Sequence, residues 1–420
     1  MKFMHQNLQC LNPEVSLILL DWSCRESFHV LDYLMKQTVP RKDFEVIWIE
    51  YYNSYPDEIN LKINQSIKEG IESPIDQWIV LEMPKNLYYH KHLLYNVGIV
   101  YSHGRIICIA DSDAIVSPTF VEEIIKAFKE DSNIVLHMDE IRNTIPKRFY
   151  PFNYPQISEI LGEGCINYKN GKTTGLIDNL DPIHTRNYGA CMCALKKDLI
   201  AIGGADEHLD FLGHVCGPYD MTFRLVNAGK KEKWHQSEFL YHVWHPGTDG
   251  IQNFIGPHDG KHMSSVALKS QKTGRILPLL ENEAIRLMRT DNNTPFEMIE
   301  KSVISPDCIK KWSIERINSS AKFYKMEDYT TWQKKNRRRI TEKIKKFFKL
   351  SSPLIFLDQP SLFGSFLRHN IVLFDNKIYC VPKRLGNIDL RKKDIRSNKF
   401  IFTAKSIIDA KLKILFKYII

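Results

Sequence analysis

The most constraining feature of this chain is a short apolar run that ends in two carboxylates. Residues Ile106–Ala110 have the composition of a fully buried strand, and Asp111, Ser112 and Asp113 follow without a spacer. Carboxylates at the carboxyl end of a strand in an open α/β sheet lie where such folds bind their ligands. Two acidic side chains there can share a hard divalent cation with two phosphates. Taken alone, the tripeptide also fits a polar turn that ends a strand.

The first third of the chain alternates between apolar stretches of strand length and stretches of helix length. This alternation predicts an α/β fold class, with a doubly wound and mostly parallel sheet. Residues 143–181 lose the pattern and are rich in Pro, Gly, Asn and Tyr, which is typical of a functional loop. The predicted strands are 15–20, 44–50, 78–81, 106–110, 189–195 and 238–244, and the predicted helices are 27–37, 93–102, 118–129, one beginning at 197, and 219–225.

The length of 420 residues predicts two or three units, because one core rarely serves so long a chain. With 43% hydrophobic and 25% charged residues, the composition is that of a soluble globular protein. The nine cysteines are scattered and include no CxxC pair, so we expect reduced thiols rather than a disulfide framework or a zinc site. No apolar run approaches the roughly 18 residues that cross a bilayer. We therefore expect a cytoplasmic protein.

The net charge of +9 is concentrated in the last third of the chain. A basic excess suits an anionic substrate, an acidic membrane surface or a nucleic acid. Within residues 334–350 the apolar side chains fall on one helical face, so this segment either packs on its own protein or rests on a membrane. Peripheral contact with the inner face of the cell membrane is left open. The basic part lacks the signatures of nucleic-acid-binding modules, so no nucleic-acid partner is expected.

Several further motifs follow one another in a recognisable order over residues 13–250. They are the strand and loop at 17–26, the strand ending at Glu50, Asn96-Val97-Gly98-Ile99 before Gly104, Asp111-Ser112-Asp113, Gly203-Gly204-Ala205-Asp206-Glu207, and Gly217-Pro218-Tyr219-Asp220 leading to Arg224-Leu225. In this order they resemble the GT-A glycosyltransferases of family 2, a large group with many inverting bacterial enzymes.

The resemblance implies a GT-A domain, that is, a Rossmann-like mixed sheet, at residues 1–260. Beyond residue 260 the composition changes, and the pattern predicts a basic and mainly helical extension at 261–350 and a small segment with a hairpin and an amphipathic helix at 351–420. The implied reaction moves a sugar, as a hexosyltransferase does, from a nucleotide-diphosphate donor to a hydroxyl of a glycan or glycolipid acceptor. A UDP-sugar is the favoured donor, single displacement the implied mechanism, and polysaccharide biosynthesis the implied setting.

The same resemblance assigns the site residues. Asp220 would be the general base, in a pattern where Tyr219 replaces the usual glutamate. The metal ion, Mn²⁺ or Mg²⁺, would be held by Asp113 and His245 with Asp111, and His242 is the less favoured of the two histidines. The residues expected to contact the nucleotide-sugar are Asp21, Glu50, Asn96, Asp111, Ser112, Asp113 and Trp244, and those expected to contact the acceptor are Asp206, Glu207 and Tyr219.

Two alternatives remain at this stage. A carboxylate such as Asp220 in the first turn of a helix is also stabilised there by the helix dipole, with no catalytic role. Since Tyr219 departs from the pattern, the chain could also be a catalytically inactive glycan- or nucleotide-binding module of the same fold. The Gly-rich segment 256–261 is either a loop that closes over the diphosphate or a plain connector.

Overall fold

The computed structural model divides the chain into two compact units, and the larger one contains the predicted sheet. The smaller unit takes in most of the chain from residue 322 onward. The structure describes residues 1–7, 12–22, 27–53, 55, 57–85, 87, 89–175, 188–208, 211, 217–246, 274–278, 280–305, 361–367, 369–374, 377–382, 385, 390 and 396–419.

The larger unit is built on one eight-stranded sheet in the order β1-β4-β3-β2-β5-β9-β6-β10. Most neighbours are parallel, whereas β1 is antiparallel to β4, and β9 is antiparallel to both β5 and β6. The predicted α/β class with a doubly wound mixed sheet is therefore confirmed. The strands are β1 Lys2–Gln6, β2 Val15–Asp21, β3 Phe44–Tyr52, β4 Gln77–Met83, β5 Ile106–Ala110, β6 Ile134–Asn143, β9 Cys191–Leu195 and β10 Lys231–Val243, with a separate pair, β7 Tyr168–Lys169 and β8 Lys172–Thr173.

Helices separate these strands. Every residue of β2 and of β5 is buried, as expected for strands covered on both faces. Helix α3 approaches β2 closely because Gly98 has no side chain, and a Cβ there would lie 2.6 Å from Ile18 Cδ1. The helices are α1 His29–Leu34, α2 Asp57–Glu69, α3 Lys91–Tyr101, α4 Phe120–Glu130, α5 Ile157–Ile160, α6 Lys196–Ala201, α7 Tyr219–Asn227, α8 Glu283–Thr290 and α9 Phe296–Ser302.

The elements that the pattern did not predict include β1, α2 and β6. Strand β6 is buried at nearly every position, although it includes His137, Asp139, Glu140 and Arg142. Such residues interrupt an apolar pattern, and they are tolerated inside because each has a polar or charged partner. Strand β10 begins at Lys231, seven residues before the predicted start, and none of these seven residues is buried, so they give no apolar pattern.

Helices α8 and α9 belong to the same compact unit as the sheet. Asn282 caps α8 and donates from Nδ2 to Glu207 Oε1 at 2.6 Å. Tyr101 Oη donates to Glu300 Oε1 at 3.0 Å. Polar contacts of this kind attach both helices to the rest of the unit, and they are not visible as hydrophobic periodicity.

In its described residues the smaller unit has an antiparallel sheet of four strands with a helix packed on it. The predicted hairpin is present, since residues 369–374 and 377–382 pair as antiparallel strands. Among the described residues no helix is long and apolar enough to cross a membrane. The amphipathic segment at 334–350 and the segment 256–261 lie outside the described residues. The elements are β11 Ser361–Phe366, β12 His369–Phe374, β13 Lys377–Pro382, β14 Phe402–Ala404 and α10 Ile407–Ile419.

A buried carboxylate at the amino end of β3 makes stability depend on pH. Glu45 accepts hydrogen bonds from Ser16 Oγ at 2.5 Å and from His103 Nδ1 at 2.9 Å. Burial alone would raise the pKa of Glu45, but the bonds from His103 and Ser16 bring that pKa below 4.5. The hydrogen bond to Glu45 raises the pKa of His103 above 6.5.

The folded state is therefore expected to lose stability as pH rises through the raised pKa of His103, since its contribution is complete only below about 6.5. At low pH the contribution of Glu45 disappears as pH falls from about 4.5 through its lowered pKa. Urea unfolding at pH 6 and pH 8 measures the first effect. His103→Asn should flatten the change between these two pH values, and an unchanged slope would contradict the assignment.

Candidate active site

The carboxyl ends of β2, β3, β5 and β10 supply most of the predicted site. The segment after β5 is tied to β10 by two backbone hydrogen bonds between Ile115 and Tyr241, at 2.7 and 2.9 Å. This pairing brings Asp113 to the end of β10, although more than a hundred residues separate them in sequence. His29 Nε2 lies 3.0 Å from the carbonyl oxygen of Asp113 and holds the turn from the other side.

Asp113 faces two imidazoles. Its Oδ2 lies 3.4 Å from His242 Nε2 and 3.4 Å from His245 Nε2. The three ligand atoms all lie within 4.8 Å of one another. Metal–ligand bonds of about 2.0–2.2 Å put neighbouring ligand atoms roughly 3.0–3.6 Å apart, so this donor set fits a single divalent metal ion.

Both histidines reach Asp113, whereas the resemblance had favoured His245 over His242. Alternation would place these two side chains on opposite faces. Strand β10 ends at Val243, however, so Trp244 and His245 no longer follow the period of the strand. The change of direction after Val243 lets both rings lie beside the same carboxylate, with centroids 5.2 Å apart.

Asp111 and Ser112 have different environments. The Asp111 side chain is 28% exposed, and Lys91 Nζ, at the start of α3, lies 3.9 Å from its Oδ1. Ser112 is buried, and its hydroxyl donates to the carbonyl oxygen of Leu20 at 2.5 Å. The hydroxyl of Ser112 therefore fastens the loop to β2, while the carboxylate of Asp111 stays accessible beside a cation.

The second cationic side chain of the site belongs to β6. Arg142 is the strand partner of His242 and binds Glu140 through two hydrogen bonds of 2.8 and 3.0 Å. The pKa of Arg142 is raised first by Glu140 and further by the charges of Asp111 and Asp113, so the guanidinium lies within electrostatic reach of both aspartates. Its side chain is 31% exposed. Neither Arg142 nor β6 follows from the apolar pattern, and the signal in the sequence was a two-residue spacing of opposite charges on one strand face.

Asp21 and Glu50 are neighbours across β2 and β3 and are fully buried. Asp21 Oδ1 accepts a hydrogen bond from the backbone of Trp22 at 2.7 Å. Glu50 Oε1 accepts one from Trp48 Nε1 at 2.9 Å. Both carboxylates therefore lie at the carboxyl-terminal edge of the sheet, where they are buried rather than exposed to solvent.

Asn96, Asp206 and Glu207 form an interior network. Asn96 Nδ2 donates to Ala205 O at 2.9 Å and to Glu207 Oε1 at 3.0 Å. Asp206 Oδ1 accepts hydrogen bonds from the backbone of His208 and Leu280. Burial raises the pKa of Glu207 to about 7. These side chains join α3, the turn at 203–207 and α8, and their contacts with the nucleotide-sugar and the acceptor stay predictions.

Asp220 lies in the first turn of α7 and forms a buried ion pair. Its Oδ2 accepts from Arg224 Nε at 2.8 Å and from Nη2 at 2.5 Å, and each side chain is 1% exposed. Arg224 also donates to the carbonyl oxygens of Ile202 and Gly204. Asp220 Oδ1 accepts no hydrogen bond from the described residues. Neighbouring Tyr219 is buried, with its ring centroid 5.6 Å from that of Tyr188.

A cavity of about 260 Å³ adjoins Asp113 and His245. Its wall comes partly from the irregular segment after β6, which contacts Trp244 through Tyr150 with ring centroids 5.9 Å apart. His29 stacks on Phe152 at 3.8 Å. The cavity is lined by Ser27, His29, Glu58, Asp113, Phe149, Tyr150, Pro151, Phe152, Tyr154, Val243, Trp244 and His245.

Comparison with known proteins finds likeness in fold only. No protein-family model matches the chain. No curated protein matches it in sequence. Among solved structures, S. aureus TarS 1–349 in complex with UDP is 12% identical, with a TM-score of 0.40 over 76% of this chain and 78% of that one. The TarS 1–349 complex with UDP-GlcNAc is 14% identical, with a TM-score of 0.38 and 76% and 78% coverage. Mannosyltransferase PcManGT from Pyrobaculum calidifontis, with GDP-Man and Mn²⁺, is 10% identical, with a TM-score of 0.38 and 83% and 86% coverage.

Proposed function

We propose that this chain is a metal-dependent glycosyltransferase. It moves a hexose from a nucleotide-diphosphate donor, with a UDP-sugar favoured, to a hydroxyl of a glycan or lipid-linked glycan. The observation that carries the proposal is the approach of His242 and His245 to one oxygen of Asp113, beside Asp111. The order of motifs along residues 13–250 supports the same reading.

The donor set would bind a divalent metal through Asp113, His242 and His245. Two imidazoles favour Mn²⁺ over Mg²⁺, because Mg²⁺ prefers oxygen ligands. A bound ion would supply Lewis-acid stabilisation of the charge that develops on the leaving diphosphate. Lys91 and Arg142 flank the same carboxylates, and their charges suit phosphate oxygens.

Arg142 is proposed to bind the donor diphosphate, with Glu140 holding its guanidinium in place. Arg142→Gln is expected to weaken UDP binding in the presence of Mn²⁺ by about tenfold or more, since hydrogen bonds to charged groups contribute about 1.5–3 kcal/mol. Isothermal titration calorimetry measures this. Arg105→Gln is the matched control, because Arg105 also pairs with a glutamate, Glu14, but at the other end of β5. Equal UDP affinity in Arg142→Gln and the wild type would contradict the role.

Transfer by single displacement would invert the configuration of the sugar and needs a general base. Asp220 remains the proposed base, acting through Oδ1 on the acceptor hydroxyl. Its pairing with Arg224 and the presence of Tyr219 favour the second candidate, a catalytically inactive module that binds a nucleotide or glycan. Donor hydrolysis that requires Mn²⁺ would exclude that candidate.

Polysaccharide biosynthesis and peripheral contact with the inner face of the cell membrane belong to the same proposal. The deciding experiment is a thermal-shift panel of nucleotide sugars with and without Mn²⁺. A ligand that binds only the folded state raises the melting temperature. We expect one nucleotide sugar to raise it when Mn²⁺ is present. Absence of any such shift across the panel would reject the proposal, and the anomeric configuration of the product tests inversion.

A further inference from the structure

Helix α10 of the smaller unit is apolar on two opposite sides. Ala410 and Ile414 are fully buried and pack on the sheet with Ile371, Ile378 and Cys380. Leu412, Leu415 and Phe416 are 41%, 38% and 59% exposed. At 3.6 residues per turn, these three side chains lie on the side of the helix away from Ala410 and Ile414.

An ordinary surface helix has one apolar stripe and a polar opposite face. The outer stripe of α10 therefore marks an interaction surface rather than a packing requirement of the unit. Phe400, 38% exposed, adds a further apolar side chain in the same unit.

The residues around this stripe are strongly basic. From residue 396 to residue 416 the chain has five basic residues and a single carboxylate, Asp409. Lys413 pairs with Asp409 at 3.1 Å and remains 45% exposed. A groove of about 610 Å³ is bordered by Arg396 and Lys413 together with Phe416.

We propose that this face of α10 docks on an anionic lipid bilayer. Leucine and phenylalanine side chains would enter the headgroup–acyl boundary, while lysines beside the stripe extend their ammonium groups to lipid phosphates. Charge complementarity selects a membrane over a neutral partner, since each lysine near an anionic leaflet adds to the attraction. This proposal rests on the proposed function in one respect only, namely the expectation that the acceptor is linked to a lipid.

Flotation of the full chain with vesicles tests this proposal. We expect binding to phosphatidylcholine vesicles containing about 30% phosphatidylglycerol and little binding to phosphatidylcholine alone, with release at high salt. Phe416→Ser should lower the partition coefficient by about tenfold or more, the value expected for one buried aromatic side chain. Lys413→Gln should lower it about fivefold.

Matched controls are available in the larger unit. Leu61, 66% exposed, is an apolar residue on the surface of α2, and Leu61→Ser should leave vesicle binding unchanged. Lys126 pairs with Glu123 within α4, and Lys126→Gln serves the same purpose for charge. Residues 334–350 are the same in all variants, so differences in vesicle binding among the variants report on α10.

Two outcomes would overturn the proposal. One is no binding of the wild type to anionic vesicles, or equal binding by wild type and Phe416→Ser. The other is self-association that Phe416→Ser abolishes while vesicle binding stays unchanged, which would make the face a contact between copies of this chain. Vesicle binding needs no donor, so its failure leaves the thermal-shift result for nucleotide sugars untouched, and the reverse also holds.

Discussion

Asp113→Ala is expected to weaken Mn²⁺ binding by at least about 100-fold, since even residues that only orient metal ligands contribute about 10- to 100-fold. The carboxylate is the member of the group that both imidazoles face. The rise in melting temperature produced by a nucleotide sugar with Mn²⁺ should disappear as well. Titration of Mn²⁺ followed by electron paramagnetic resonance measures the affinity without any substrate.

The same titration separates the two histidines. If both are ligands, His242→Ala and His245→Ala should each lower Mn²⁺ affinity to a similar degree. His235 lies on the same strand, pairs with Glu123 at 3.3 Å and serves as the matched control. Wild-type affinity in His242→Ala would restrict the site to Asp113 and His245, and wild-type affinity in Asp113→Ala would remove the proposed metal site.

Asp220→Ala is expected to destabilise the protein by about 3–5 kcal/mol, because it leaves the buried charge of Arg224 without its counterion. Both side chains are 1% exposed, so solvent cannot compensate for the loss. Urea unfolding measures the difference. The double variant Asp220→Ala, Arg224→Met should recover much of the stability, since a buried ion pair can be replaced by apolar groups of similar size.

The double variant also separates the structural role of Asp220 from a catalytic one. If it folds but no longer transfers sugar, the general-base assignment gains support, whereas full activity would remove it. The control is Glu283→Ala, which breaks an exposed ion pair within α8 and should change stability far less. A stability loss in Asp220→Ala no larger than in this control would contradict the buried-pair argument.

Much of the sheet could be predicted because its buried strands consist mainly of apolar residues. Strands β2 and β5 are buried along their whole length and contain long apolar runs. Strand β6 is buried at nearly every position but includes Asp139, Glu140 and Arg142, and only the folded structure supplies the partners of these residues. The loss of β6 from the prediction also meant the loss of Arg142 from the predicted site.

The predicted site residues fall into two groups, which differ in the residues that their side chains contact. Asp111 and Asp113 could be placed together from sequence, because they follow one buried strand directly. Asn96 and Glu207 matched a motif order, yet their side chains hydrogen-bond to each other and to α8 in the interior. A motif specifies residue types and spacing, whereas a polar side chain takes its role from groups that are distant in sequence.

The alternation of strands and helices and the position of two aspartates at the end of β5 can be predicted from the amino-acid sequence, since both follow from local composition and periodicity. The approach of both His242 and His245 to Asp113 depends on tertiary contacts, because it requires the pairing of Ile115 with Tyr241 and the end of β10 at Val243. The tertiary structure also decided that Asp220 is held by Arg224, since burial removes the solvent that would otherwise separate the two charges.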